Sequence, residues 1–269
     1  MILQTRMIEK VWGCDRLPAP FSAPDGQRIG EVWFDPPTTL DGLLVKYIFT
    51  SEKLSVQCHP SDEQTLAMGL GKQGKEECWL VVDAEPGAAL GIGFNKELDR
   101  KAIRAAAADG SIEGLLTWHE VKAGDFFYIP ANTVHAIGPG CAILEIQQNS
   151  DVTYRLYDYG RPRELHLDEG VKAASGEPYD LAANSTFVGR ESDVNLVDGP
   201  VFRLDQLAGG PDAAISARYR GPLLVIPREA SVVVDGETVS PGQCALAEEI
   251  DAVEFCETGT CLIAQPMPG

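Results

Sequence analysis

Positive charge is what this chain has least of: 22 lysines and arginines stand against 40 aspartates and glutamates, a formal net charge of −18 over 269 residues. No basic stripe exists to neutralise a row of phosphates, which argues against nucleic acid as a partner. Long apolar runs are also missing. No stretch approaches the roughly 18 residues that cross a bilayer, and the opening Met1-Ile-Leu-Gln-Thr-Arg-Met-Ile-Glu-Lys10 is broken by charge before the core of a signal peptide forms. A soluble cytoplasmic protein, not a membrane protein, is the expectation. Paired cysteines are absent too. Cys14, Cys58, Cys78, Cys141, Cys244, Cys256 and Cys261 are odd in number and show no Cys-x-x-Cys spacing, which suits reduced thiols better than a disulfide framework. Histidine is scarce, with only His59, His119, His135 and His166.

One of those four sits in the most informative stretch, Gly124 to Gly138. Asp125 to Ile129 reads as a buried strand, Pro130-Ala-Asn-Thr133 as a turn, and Val134-His135 as the opening of the next strand. The order of Gly, five residues, Pro, one residue, Gly, two residues and His resembles the second signature of cupin barrels. Asn132 replaces the second Gly, and Asn tolerates a positive-φ corner. In Leu54-Ser-Val-Gln-Cys-His59, residues two apart share a face, so Gln57 and His59 point together while Val56 and Cys58 face the other way. The strand-like Gly74 to Val82 presents Glu77 or Glu76 to the same space; a regular strand sends Glu76 to the opposite face. Gln57, His59, Glu77 and His135 form a set of nitrogen and oxygen ligands that suits zinc and tolerates manganese, cobalt or iron. Cys58 and Cys78 then read as small packing residues turned away from the ion, and His119 as a surface residue.

Gln-Cys-His-Pro60, Gly74-Lys-Glu-Glu-Cys-Trp79, Ile129-Pro-Ala-Asn-Thr-Val-His-Ala136 and Glu145 to Arg161 occur in the order, and at the separations, of the zinc-dependent type I mannose-6-phosphate isomerases. The chain resembles their short bacterial form from about Lys10 to Arg161. That resemblance implies an aldose–ketose isomerase interconverting mannose 6-phosphate and fructose 6-phosphate by proton transfer between C1 and C2. It further implies Lys75 and Arg155 as cations for the substrate or its enediolate, Asp151 as a member of the acid–base relay, and Trp12 and Glu31 as cleft residues. Gly74 stands where longer relatives carry His, and Ile137 where some carry Tyr. An anionic substrate demands a local cluster of cations in an acidic protein, drawn from Lys46, Lys72, Lys75, Arg155, Arg161 and Arg163. A cupin isomerase for another sugar phosphate, an iron oxygenase and a non-catalytic sugar-binding cupin are the competing classes.

The fold expected is mainly β: a cupin (jelly-roll) barrel with a few short helices over residues 1–160, then a linker and a second, metal-free cupin-like β half over 161–269. Ser61 with Gln64 forms a capping box for a short helix stopped by Gly69. Asn95 is expected to cap a helix from Lys96 to Ala108. Residues 161 to 198 read as a loop-rich linker. Beyond them come short strands, among them Ser216 to Tyr219 and a pair joined by an Asp235-Gly236 hairpin turn. The strand-rich region from Val201 to Pro266 has no histidine, so structural duty is expected of it. A monomer or homodimer fits.

Overall fold

The computed structural model describes residues 1–267. Its strands pair throughout as antiparallel ladders in four sheets. Thr5–Cys14, Ile29–Phe34, Leu43–Phe49, Cys141–Gln148, Glu77–Ala84, Asp125–Ile129 and Ser185–Phe187 lie side by side in that order. Tyr154–Tyr157, Val56–Cys58, His135–Ile137, Ala89–Phe94 and Leu116–Glu120 form the facing sheet. Between them the two sheets enclose Ile48, Trp79, Leu90, Ile92, Ile137 and Ile143, the interior of a jelly-roll barrel.

Both sheets are also covered on the outside, which explains strands that are apolar on two faces. Behind the five-stranded sheet, Val56, Cys58, Ala136 and Leu156 pack on Ile103 and Ala107 of the helix Arg100–Asp109 and on Val171 of the helix Leu167–Ala173. Behind the seven-stranded sheet lies the second half of the chain. There Val194–Asp198, Phe202–Ala208, Thr260–Pro266, Leu223–Pro227 and Ala245–Ala247 form one sheet, and Glu237–Val239, Val232–Val234 and Val253–Glu254 another. Alternation divides the labour along each strand. Leu224, Ile226 and Leu262 join Val32, Phe49 and Leu80 in a core shared by the two halves, whereas Leu223, Val225 and Ile263 face Val232, Val234 and Val239.

Several local signals act as their chemistry requires. Ser61 and Gln64 exchange both hydrogen bonds of the capping box ahead of the helix Asp62–Ala67. Asp235 (φ 51°) and Gly236 (φ 80°) are both left-handed, as a two-residue hairpin turn demands. Other signals mislead. The helix expected from Lys96 begins at Arg100, because the Asp99 carboxylate accepts from Ala102 N at 2.7 Å while Asn95 N and Leu98 N are taken by Leu115 O and Gly176 O. Ser216 to Tyr219 is not a strand: Ala213–Arg218 is a helix, capped by Asp212 on Ile215 N. The segment 161–198 is richer in structure than a linker. It carries the helices Leu167–Ala173 and Leu181–Asn184 and the strand Ser185–Phe187, which pairs with Asp125–Ile129. Gly170 lies inside the first of these helices, where a Cβ would come within 2.7 Å of Leu156. Among the described residues no helix is long and apolar enough to cross a membrane, and all seven cysteines are free.

Candidate active site

Alternation decides what enters the barrel. On Glu77–Ala84, Glu77 and Trp79 line the interior while Cys78 and Leu80 pack behind the sheet. Gln57 likewise lines the interior, with Cys58 packed beneath the helices. Glu76 turns outward and accepts a hydrogen bond from the Tyr128 hydroxyl; burial and the nearby charge of Asp62 push its carboxyl up to about 7. The corner before His135 is left-handed at Asn132 (φ 73°). Asn132 also donates its backbone N to His59 O at 2.8 Å and its side-chain amide to Gln64 Oε1 at 2.6 Å. One residue thus joins the corner that presents His135 to the loop that presents His59, and the two rings sit 4.9 Å apart.

His59, Glu77 and His135 each offer an atom within 4.8 Å of the others, and all three are buried. His59 Nδ1 lies 2.9 Å from Val152 O, and His135 Nδ1 lies 3.0 Å from Thr133 O. A carbonyl only accepts, so each Nδ1 carries the proton and each Nε2 presents its lone pair. Those lone pairs lie 3.6 Å and 3.4 Å from the two oxygens of Glu77. Burial lowers both imidazole pKa values, most strongly for His59, where the charge of Lys75 adds to it. Both rings are therefore neutral, the form that binds a metal.

The donor set already attracts a cation. Lys75 Nζ sits 2.5 Å from Glu77 Oε2 and 3.1 Å from His59 Nε2. Burial, the largest single influence, would raise the Glu77 carboxyl, but the charge and hydrogen bond of Lys75 together with the two neighbouring imidazoles outweigh it and hold the group well below the usual carboxylate range. Gln57 Nε2 is 3.3 Å from His135 Nε2, and its Oε1 accepts from the Ser55 hydroxyl at 3.0 Å. An amide flips end for end at little cost, and a hydroxyl donates or accepts, so Gln57 can offer its oxygen to an ion at the same point.

From this cluster a line of charges of alternating sign runs outward, buried as far as Glu31 and ending at the half-buried Lys10. Glu145 lies 3.8 Å from Lys75 and 2.9 Å from Lys46; Glu31 lies 3.2 Å from Lys46 and 2.8 Å from Lys10. Trp79 Nε1 donates to Glu145 Oε2 at 2.9 Å. Each ion has an opposite neighbour, without which burial would be prohibitive. Burial opposes ionisation of Glu31, yet the charges of Lys46 and Lys10 bring it down to about 2. At Glu145 burial, reinforced by the charge of Glu77, prevails over the two lysines and raises the carboxyl.

These groups line a cleft together with Trp12, Gln57, Thr153, Arg155 and Arg163. Five cations (Lys10, Lys46, Lys75, Arg155, Arg163) meet three carboxylates (Glu31, Glu77, Glu145) there, a local excess of positive charge in a strongly acidic chain. Asp151 is not brought to the cleft. It is exposed and lies with Lys72 in a separate depression bordered by Trp33 and Leu70. Its segment reaches the site through the Val152 carbonyl instead. Arg161 is taken up by Glu52, Asp158 and the Lys53 carbonyl. His119 stands half-buried beside Phe127, apart from the cluster. Gly74 has no room for a side chain, since its Cβ would meet Pro60 O at 2.4 Å. Lys10 and Glu145 join the cleft although sequence reasoning gave them no role there; the signal for Glu145 was a carboxylate in a strand with two apolar faces.

No family model matches the chain. The mannose-6-phosphate isomerase of Streptococcus mutans is 34% identical over 267 residues, spanning 81% of this chain and 82% of that protein. Mannose-6-phosphate isomerase ManA of Bacillus subtilis is 43% identical over 136 residues, 48% of this chain and 43% of that one. Among solved structures, the mannose 6-phosphate isomerase of Bacillus subtilis superposes with a TM-score of 0.78 at 24% identity, covering 98% of both chains. A mutant of phosphomannose isomerase from Salmonella typhimurium gives 0.69 at 15%, covering 98% of this chain and 99% of that one, a likeness of fold. With the barrel common to these structures and one third of its residues shared with the streptococcal enzyme over most of both lengths, the chain belongs to the mannose-6-phosphate isomerase family.

Proposed function

We propose that this protein interconverts mannose 6-phosphate and fructose 6-phosphate, using one divalent cation, zinc, held by Gln57, His59, Glu77 and His135. The observation that carries the reading is the convergence of two neutral imidazoles on Glu77, a carboxylate that lines a cleft rich in cations. When bound, the ion supplies about one unit of residual positive charge beside the sugar oxygens, because only Glu77 among its ligands is anionic.

The remaining work falls to the chain's own side chains. An enediolate needs a base at C2 and positive charge along both oxygens. Glu145 suits the proton transfer. Its carboxyl is raised, it sits between Lys46 and Lys75, and Trp79 fixes its orientation. It takes the C2 proton and returns it to C1 while the hydroxyl proton passes from O2 to O1. Lys75 and Lys46 face the developing charge, and Arg155 receives the phosphate. Trp12 and Glu31 shape the cleft wall, with Glu31 holding Lys10 and Lys46 in place. Residues 1–160 carry the proposed metal ligands and the proton transfer; beyond them Arg163 lines the cleft, and the rest of residues 161–269 serve chiefly to cover the outer faces of the two sheets. Seven free cysteines suit a reducing cytoplasm.

A coupled assay with mannose 6-phosphate, run beside glucose 6-phosphate and fructose 6-phosphate and repeated after chelation, tests this. Mannose 6-phosphate and fructose 6-phosphate should interconvert, and a chelator should stop the reaction until metal is restored. Turnover of another sugar phosphate in preference, or turnover indifferent to a chelator, would contradict it.

A further inference from the structure

We infer that Arg163 is a second phosphate-gripping guanidinium beside Arg155 on the rim of the cleft, and that buried Asp158 is the positioning residue that holds it there. The inference rests on the reading of the substrate as a sugar phosphate.

The chain reverses sharply after the strand Tyr154–Tyr157. Tyr159 (φ 56°) and Gly160 (φ 75°) are successive left-handed residues, a conformation that is costly for a bulky side chain. The reversal brings Arg161 and Arg163 back onto Asp158, a carboxylate whose side chain is only 2% exposed. Asp158 Oδ2 accepts from Arg163 Nε at 2.6 Å and Oδ1 from Arg163 Nη2 at 2.7 Å, a two-point grip that fixes the plane of the guanidinium. Arg161 adds a third bond to Oδ1 at 3.2 Å.

The two arginines then differ in what is left over. Arg161 spends its other nitrogen on Glu52 Oε2 at 3.1 Å and Lys53 O at 2.9 Å, so it fastens the loop that leads to Gln57. Arg163 keeps Nη1 without a protein partner among the described residues, and it lines the cleft with Thr153 and Arg155. Arg155 is little better satisfied, with one long bond of 3.5 Å from Nη1 to Glu164 O. The two guanidiniums are close enough for the charge of Arg163, added to partial burial, to depress that of Arg155. Asp158 pairs with Arg161 and Arg163, and Arg155 has no carboxylate partner of its own among the described residues. Like charges held together in an acidic protein, with free donors on a cleft, match a dianion with acceptor oxygens. A phosphoryl group placed there satisfies both guanidiniums at once.

The test compares Arg163→Gln, Arg163→Lys, Arg161→Gln and Asp158→Asn with the wild-type holoenzyme, by steady-state kinetics and by calorimetric titration with inorganic phosphate. Arg163→Gln should raise KM for mannose 6-phosphate and weaken phosphate binding in parallel, each by about 10- to 100-fold. Its kcat should stay within about threefold of wild type and its metal content unchanged. Arg163→Lys should recover part of the loss, and Asp158→Asn should reproduce it in smaller measure. Arg161→Gln should lower Tm and leave phosphate affinity alone. Unchanged phosphate affinity in both Arg163 variants, or no phosphate binding by the wild type, overturns the assignment. If the wild type binds phosphate through Arg163 but does not turn over mannose 6-phosphate, the clamp stands and the substrate assignment fails.

Discussion

A neutral amide among the proposed ligands has a direct chemical consequence. With Gln57 uncharged, a bound divalent ion keeps positive charge for the substrate; Gln57→Glu cancels it. That variant should retain its metal while kcat falls by about tenfold or more, which metal analysis beside steady-state kinetics will show. Glu145 has the opposite liability. Removing it leaves Lys46 and Lys75 buried without a shared counter-charge, so Glu145→Ala should cost about 3–5 kcal/mol in urea unfolding as well as activity. Glu31, held to about 2 against an ordinary 4.5, contributes stability above pH 4.5 that disappears as the pH falls towards 2. Glu31→Gln should flatten the acid limb of the stability curve in that window. The shared inward direction of Gln57, His59 and Glu77 was legible because strand alternation dictates it. Asp151 came from the resemblance alone, on an irregular segment where periodicity says nothing about direction. Lys10 and Glu145 escaped for another reason: their partners Glu31 and Lys46 come from other strands, and pairing across a sheet is not written in local sequence.

The corner at Asn132 joins local conformation to site geometry. Its left-handed backbone and its bonds to His59 O and Gln64 bring the two histidines together. Asn132→Gly should keep the conformation and lose only the side-chain bonds, whereas Asn132→Val should cost about 1–2 kcal/mol more from the left-handed φ alone. Thermal unfolding of the pair separates these terms. Element types in the first barrel could be read from pattern, since the strands alternate and the capping box at Ser61 is explicit. The errors fall where two signals compete. Asn95 and Asp99 are both good caps, and tertiary bonds at Asn95 and Leu98 gave the position to Asp99. The segment Ala213–Arg218 has a capping Asp212, but its apolar spacing also fits a strand. Gly170 packs closely inside its helix, where a Cβ would come within 2.7 Å of the Leu156 side chain.

At the level of the fold, the second half does more than follow the first. Leu204, Leu224, Ile226 and Leu262 share a core with Val32, Phe49 and Leu80. Leu3 N bonds to Cys244 O and Leu246 N to Met1 O, so the N-terminus is tied into the far half. A chain ended at residue 160 would expose that apolar face and should aggregate instead of folding, which sedimentation of the expressed fragment will show. This shared core was only partly foreseeable: two strand-rich halves could be read from the sequence, but which faces meet depends on contacts between distant segments. The central claim, that one cation is held by side chains from separate strands of one barrel, is tested most directly by metal stoichiometry of the purified protein. Wild type and His119→Ala should each carry about one divalent ion per chain and His135→Ala almost none. Retention of the ion by His135→Ala, or equal loss from both variants, would contradict the account.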